Sequence, residues 1–130
     1  MIKQAHSFGR KEKLKNKERI TQLFEEGKTL KAYPLKLIYL SVDEQEVAIK
    51  VGVAVPKRSF KSAVKRNRIK RLMREAYRLN KAIVFNNTQG NFAFLFLYLG
   101  KEMPSFDQIA PRMELLLNKF NVQNHEKSTT

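Results

Sequence analysis

The residues with the clearest chemical signal are basic, and they are concentrated between positions 57 and 78. This stretch holds ten Lys and Arg and a single acid, Glu75, so it carries a net charge of +9 out of +14 for the whole chain. The flanking segments 1–56 and 79–130 carry only +4 and +1. A charge that served only solubility would be scattered and mixed in sign. The concentration therefore predicts a surface that binds a polyanion.

On a helical wheel, the basic stretch divides into two faces. The apolar face, which would dock on the rest of the protein, consists of Ile69, Leu72, Met73, Ala76 and Tyr77. The opposite face carries Asn67, Arg71, Arg74 and Arg78, bordered by Arg66, Lys70 and Arg68. A guanidinium group donates two parallel hydrogen bonds to phosphate oxygens and stacks on exposed bases. We therefore predict that a helix over 62–81, capped by Ser62, binds RNA.

The rest of the chain predicts the scaffold that positions this helix. In chain order the elements are a helix at 16–26, strands at 35–42 and 47–55, the basic helix, a strand at 91–99 and a final helix after Ser105. The unbroken apolar run at 91–99 indicates a central strand that is buried on both faces. This order predicts an α+β fold, an α–β sandwich in which helices pack on a small mixed sheet.

Three expectations concern how these elements connect. The short polar stretch after Val42 predicts an antiparallel hairpin between the strands at 35–42 and 47–55. If the strand at 91–99 runs parallel to the one at 47–55, the basic helix is the β-α-β crossover between them. Pro111 would remove a hydrogen bond from the interior of the last helix, so we expect its regular part to begin there.

Length and composition predict one RNA-binding domain over 1–130, with flexible ends at 1–12 and 121–130. The chain has no cysteine, which excludes disulfides and thiolate chemistry and fits a cytoplasmic protein. No apolar run is long enough to span a bilayer, and the first residues do not have the pattern of a secretory signal. We therefore predict no membrane partner.

Other classes of protein fit these residues less well. A protein-based active site is not supported, because His6 and His125 have no partner at catalytic or metal spacing and the acids Asp43, Glu44 and Glu46 are typical of a solvated turn. A helix that reads DNA needs side chains that discriminate base edges, whereas this one is nearly all phosphate-seeking. A general or ribosomal RNA-binding protein remains the alternative.

One run of residues narrows the prediction further. The sequence Lys-Arg-Asn-Arg-Ile-Lys-Arg at 65–71 resembles the Arg-Asn-Arg signature of bacterial ribonuclease P proteins. The strand and basic pair at 51–58 resemble the segment that precedes this signature, and 13–15 with 23–27 resemble the family's first helix. The resemblance covers roughly 8–120. It implies a fold like domain 2 of ribosomal protein S5, with a left-handed crossover through the signature helix.

The resemblance also implies a function. Members of this family are the protein subunit of an endoribonuclease whose catalytic RNA uses Mg²⁺ to remove the 5′ leader of precursor tRNA. The implied partners are the catalytic RNA and precursor tRNA, not DNA. We expect no catalytic residue and no bound cofactor or metal in the protein itself, and a monomeric state for the isolated protein.

The resemblance and the helical wheel together assign roles to individual residues. The predicted RNA-binding set is Lys57, Arg58, Lys65, Arg66, Asn67, Arg68, Lys70, Arg71, Arg74 and Arg78. The predicted cleft for the 5′ leader is lined by Ile20, Phe24 and Tyr39, and Ile20 stands where relatives often carry Phe. Ordinary core packing is the alternative role for Ile20 and Phe24.

Overall fold

The computed structural model describes residues 8–43, 47–86 and 88–129, with side chains up to Asn124. A 3-10 turn at Arg10–Glu12 precedes four α-helices and four strands. They are α1 (Lys17–Glu26), β1 (Lys28–Ala32), β2 (Leu35–Val42), β3 (Ile49–Ala54), α2 (Ala63–Asn80), α3 (Ala82–Phe85), β4 (Asn91–Tyr98) and α4 (Phe106–Thr129). The predicted basic helix is α2, and it begins and ends within one residue of the predicted bounds.

The strands form one mixed sheet in the order β1-β2-β4-β3. β2 is antiparallel to β1 and β4, whereas β3 is parallel to β4. The chain therefore crosses from β3 to β4 through α2 and α3, which confirms the predicted crossover. The α+β fold class is also confirmed.

The predicted hairpin between β2 and β3 is wrong, because β4 lies between them. The six residues at 43–48 can reach across two strand spacings, about 10 Å. β4 is apolar and mostly buried, so burial favours the centre of the sheet for it. β2 instead forms a hairpin with β1. The pairing begins with Lys28 opposite Tyr39 and ends with Ala32 opposite Leu35. This short, lysine-containing strand was not predicted.

The final helix begins earlier than predicted. The Ser105 hydroxyl accepts the Gln108 N–H at 3.2 Å, and the Gln108 side chain accepts the Ser105 N–H at 3.0 Å. This capping box satisfies the helix end at Phe106, so Pro111 lies inside the helix and removes only one backbone hydrogen bond. Burial of Ile109 on the first turn favours the longer helix. α4 also continues to Thr129, beyond its predicted end near 121.

The sheet buries a different cluster on each face. The larger cluster joins the sheet to α2 and α4. Phe120 lies within it, and its ring centroid is 4.7 Å from that of Phe94 and 5.0 Å from that of Tyr39. The smaller cluster lies beneath α1 and consists of Leu14, Leu23, Ile38, Ala93 and Leu95. α2 and α1 are therefore held on opposite faces of one sheet.

Candidate nucleic-acid interface

Helix α2 is fixed by its cap and by its apolar stripe. The Ser62 hydroxyl accepts the Lys65 N–H at 3.3 Å, as predicted for the N-cap. The predicted stripe is confirmed, since Leu72 is half-buried and the other four members are fully buried: Ile69, Met73, Ala76 and Tyr77. A helix docked along its whole length holds its outer face rigidly. The basic side chains therefore project from a fixed frame.

The outer face of α2 is a row of exposed cationic side chains. Exposed members of the predicted set are Lys57, Arg58, Lys65, Asn67, Arg68, Arg71 and Arg74, and half-buried members are Arg66, Lys70 and Arg78. Within the described residues, Arg68, Arg71 and Arg74 form no salt bridge with an acid. The N–H donors of these three arginines are available to an anion. Because their positive charges repel one another, binding of an anion is favoured.

Arg78 differs from the other arginines of this row. Its Nε lies 3.0 Å and its Nη2 2.5 Å from the two carboxylate oxygens of Glu75. These hydrogen bonds lower the pKa of Glu75 and raise the pKa of Arg78, so both groups stay charged. The single acid of the basic stretch therefore neutralises one end of the row and leaves the centre cationic.

Arg66 links the helix to the loop that precedes it. Its Nη1 donates to the carbonyl oxygens of Phe60 at 2.7 Å and Lys61 at 2.9 Å. Phe60 is buried, and its ring lies 5.9 Å from that of Tyr98. Arg66 therefore fixes the end of the 57–61 loop to α2, and Phe60 anchors the loop in the core. These two contacts keep Lys57 and Arg58 beside the helix.

The predicted leader cleft is only partly assembled. Ile20 and Phe24 lie one turn apart on α1; Ile20 is half-buried on the smaller cluster, and Phe24 is 58% exposed.

Both ends of α1 are fixed by local contacts. The Asn16 side chain caps α1 by accepting the N–H groups of Glu18 and Arg19. At the other end, a Cβ on Gly27 would lie 2.5 Å from the side chain of Ile38, so only glycine permits this close approach of the helix to the sheet.

Tyr39 does not belong to this cleft. Its side chain packs on the opposite face of the sheet, is 3% exposed, and donates its hydroxyl to Gln123 Oε1 at 2.6 Å. Burial raises the pKa of this hydroxyl. The prediction was wrong because side chains alternate along a strand, and a shift of one residue in register moves a side chain to the other face. The neighbouring Ile38 faces α1 instead.

Most of the remaining candidates of the sequence analysis lie outside the described residues. His6, Glu44, Glu46 and the side chain of His125 lie outside the described residues, and Asp43 is exposed at the end of β2. Among the side chains that are described, no group of three or more His, Cys, Asp or Glu could hold a metal ion. None of the described helices is both long and apolar enough to cross a bilayer.

Sequence reasoning missed the N-terminal contribution to this surface. Phe8 and Lys13 line a cavity together with α2 residues that include Arg71 and Arg74. The Lys13 ammonium lies 5.8 Å from the centre of the Phe8 ring. The cavity brings together residues about sixty positions apart, so no local spacing signals it. The basic character of 10–15 was the only available hint.

Comparisons with known proteins agree with this geometry. The sequence profile of the family described as Ribonuclease P matches residues 8–121. The ribonuclease P protein component of Porphyromonas gingivalis is 39% identical over 114 residues, covering 83% of each chain, and that of Chlorobium phaeobacteroides is 34% identical over 131 residues, covering 90% of each.

Solved structures share the fold. The RNase P protein from Thermotoga maritima aligns with a TM-score of 0.68 at 22% identity, covering 83% of this chain and 96% of that one. The Staphylococcus aureus protein aligns with a TM-score of 0.65 at 18% identity, covering 82% and 93%. At these identities the likeness shows a common fold.

Proposed function

The chain belongs to the ribonuclease P protein family and is the protein component of an endoribonuclease that matures the 5′ ends of tRNA; we propose that the outer face of α2 and the 57–61 loop form its binding surface for the catalytic RNA. The observation that carries this proposal is the row of Arg68, Arg71 and Arg74, exposed on a rigid helix and without acidic partners among the described residues.

The chemistry of the surface favours RNA held by its backbone. Arginine forks match the phosphate oxygens, and no pattern of base-reading side chains interrupts the row. Lys57 and Arg58 extend the surface beyond the helix start because Arg66 ties their loop to α2. This arrangement suits a structured RNA whose phosphates are spaced along a groove.

We propose a separate role for the face that carries α1. Phe24 is the one exposed aromatic on this helix, and Ile20 lies one turn before it beside the smaller cluster. An aromatic ring that stacks on an unpaired base contributes about 1–3 kcal/mol. This face therefore suits the single-stranded 5′ leader of precursor tRNA, with Ile20 giving apolar contact in place of stacking.

We propose that the protein positions RNA and that the catalytic RNA performs the hydrolysis. On the family resemblance we place the Mg²⁺ ions on the catalytic RNA and assign no protein residue to them. Arg68 and its neighbours would offset the repulsion between two RNA molecules brought together. We further propose that the free protein is a monomer and works in the cytoplasm.

Reconstitution tests the proposal. The protein is mixed with a bacterial ribonuclease P RNA and a leader-bearing precursor tRNA at low Mg²⁺, and release of the leader is followed. We expect cleavage that the protein stimulates, that requires the RNA, and that falls in Arg68→Ala. Arg112→Ala, which removes an exposed arginine on α4 away from both faces, is the matched control.

Two outcomes would contradict the proposal. Full stimulation by Arg68→Ala together with Arg71→Ala would remove α2 from the interface. An absence of stimulation with a competent RNA, alongside tight binding to unrelated RNAs, would favour a general RNA-binding protein that shares only the fold.

A further inference from the structure

The C-terminal end of the segment at 8–15 is held against the body of the protein. The Leu14 N–H donates to the Val51 carbonyl at 2.9 Å, and Lys13 pairs with Val51 as a parallel bridge. Leu14 itself is buried in the smaller cluster. β3 is an edge strand, so this short pairing covers part of an edge that would otherwise be open.

A buried ion pair between Lys81 and Glu12 holds the middle of the same segment. Lys81, at the end of α2, is fully buried, and its Nζ lies 2.6 Å from Glu12 Oε1. The other carboxylate oxygen accepts the Gly9 N–H at 3.0 Å, and the ammonium lies 4.7 Å from the centre of the Phe85 ring. Removal of one partner from such a pair leaves an uncompensated buried charge, which is strongly unfavourable. The pair therefore holds the segment in a single position.

This position creates a groove beside α2. One cavity, of about 470 Å³, lies between Phe8 and Lys13 on the segment and Arg71 and Arg74 on the helix. A second cavity, of about 130 Å³, is also lined by Lys13 and Arg74 and extends to Ile20 on α1. Because Lys13 and Arg74 border both cavities, the cavities are adjacent parts of one groove. It runs from the outer face of α2 toward the face that carries α1.

The groove has the composition expected of a site for single-stranded RNA. Cationic side chains stand on both walls, Lys13 on the segment and Arg74 on the helix, and the acid of the lining, Glu75, is neutralised by Arg78. Phe8 provides a ring at one end and Ile20 an apolar surface at the other. Single strands are bound by cationic grooves that follow the backbone and by apolar platforms for the bases. Lys15 lies on the wall of the second cavity and adds a further charge.

We propose that the segment at 8–15 is the second wall of a groove for single-stranded RNA, that Lys13 binds phosphate opposite Arg74, and that Glu12 and Lys81 are positioning residues for this wall. The inference rests on the proposed function, since it adds a path between the two RNA-binding faces. Glu12 and Lys81 are buried and act only through the placement of Lys13.

A double-mutant cycle tests the proposal with the full-length protein. The probe is a fluorescein-labelled single-stranded RNA oligonucleotide, and its affinity is measured by anisotropy at fixed salt. We expect Lys13→Ala to weaken binding about 3- to 10-fold. Glu12→Gln, which keeps the size of the side chain, should weaken binding to a similar extent. In the Glu12→Gln background, Lys13→Ala should change affinity by less than about twofold.

Arg68→Ala separates this inference from the proposed function. Its effect should be the same in both backgrounds, because Arg68 lies near the start of α2, where the N-cap is a local contact between Ser62 and the Lys65 N–H. Loss of the Arg68 effect alone would contradict the proposed function. A Lys13→Ala effect that is equally large with and without Glu12→Gln would overturn the positioning role.

One further measurement, and the Lys13→Ala single variant of the cycle, keep the test decisive. Hydrogen exchange at the Leu14 N–H, bonded to Val51, should accelerate in Glu12→Gln, while exchange at the Gly27 N–H, bonded to Leu23, should not. Lys13→Ala leaves the ion pair in place, so unchanged affinity in this single variant overturns the proposal even if Glu12→Gln does not fold.

Discussion

Arg66 offers the sharpest test of how the interface is built. The family resemblance assigns this arginine to RNA, whereas in the free protein its Nη1 donates to the carbonyls of Phe60 and Lys61 at 2.7 and 2.9 Å. Arg66→Ala removes both bonds at once and leaves the cap of α2 intact. The loop that carries Lys57 and Arg58 then loses its tie to the helix.

The size of the effect follows from the exposure of the group. A hydrogen bond from a charged donor contributes about 1.5–3 kcal/mol when it is buried. Arg66 is only half-buried, and water can replace the lost donor at the two carbonyls. We therefore expect a combined loss of about 1–2 kcal/mol in the free energy of unfolding. For a domain of this size, the corresponding fall in Tm is roughly 4–8 °C.

Thermal unfolding of the RNA-free protein isolates this role from RNA binding. Arg66→Ala should melt below the wild type by the stated interval, while Arg68→Ala, an exposed change on the same helix, should melt within about 2 °C of it. An unchanged Tm for Arg66→Ala, together with a loss of RNA affinity equal to that of Arg68→Ala, would refute the reasoning. Arg66 would then act as a direct RNA contact only.

Three further predictions concern charge, core and pH. RNA affinity should fall about 10³- to 10⁵-fold between 50 and 200 mM monovalent salt if six to ten phosphates are contacted, and a flat salt dependence in filter binding would exclude this mode. Phe120→Ala should lower the free energy of unfolding by about 3–5 kcal/mol in urea titrations, because the ring meets Tyr39, Phe92 and Phe94; a loss below 1 kcal/mol would contradict this packing. Burial raises the pKa of Tyr77, so the folded state keeps this proton and stability is lost as pH rises above the unfolded pKa of about 10. Tyr77→Phe also removes a hydroxyl that has no hydrogen-bond partner among the described residues, so its advantage over wild type should widen between pH 9 and 11, and parallel pH profiles would argue against it.

Local patterns were sufficient for most elements of the fold. Ser62 was recognised as a helix start because a cap acts within three residues of its own position. The stripe on α2 was recognised because helical spacing alone places its members on one side. β1 was missed because a short strand with two lysines gives a weak alternating signal, and its pairing with β2 supplies the stability that its own residues lack.

The two errors in the sheet share a physical cause, since each depended on a partner that is distant in the chain. The hairpin prediction failed because β4, which begins about fifty residues after β2 ends, pairs with β2 in place of β3 and is favoured there by burial on both faces. Tyr39 was assigned to the wrong face because strand register is set by pairing and not by composition. The early start of α4 reflects a capping box and apolar burial that together outweigh one proline.

The sequence by itself determined the chemistry of this protein. The charge of 57–78, the order of its arginines and the absence of a plausible catalytic group are properties of residue types and spacing. Only the tertiary structure decided which cations stay free, and that Arg66 is committed to its loop and Lys81 to Glu12. The pair of Arg78 with Glu75 is local, since the two residues lie three positions apart on one helix. The reason is that a charge acquires its role from the groups that folding places within a few ångströms of it, and two of these partnerships depend on the tertiary packing of loop and segment against α2.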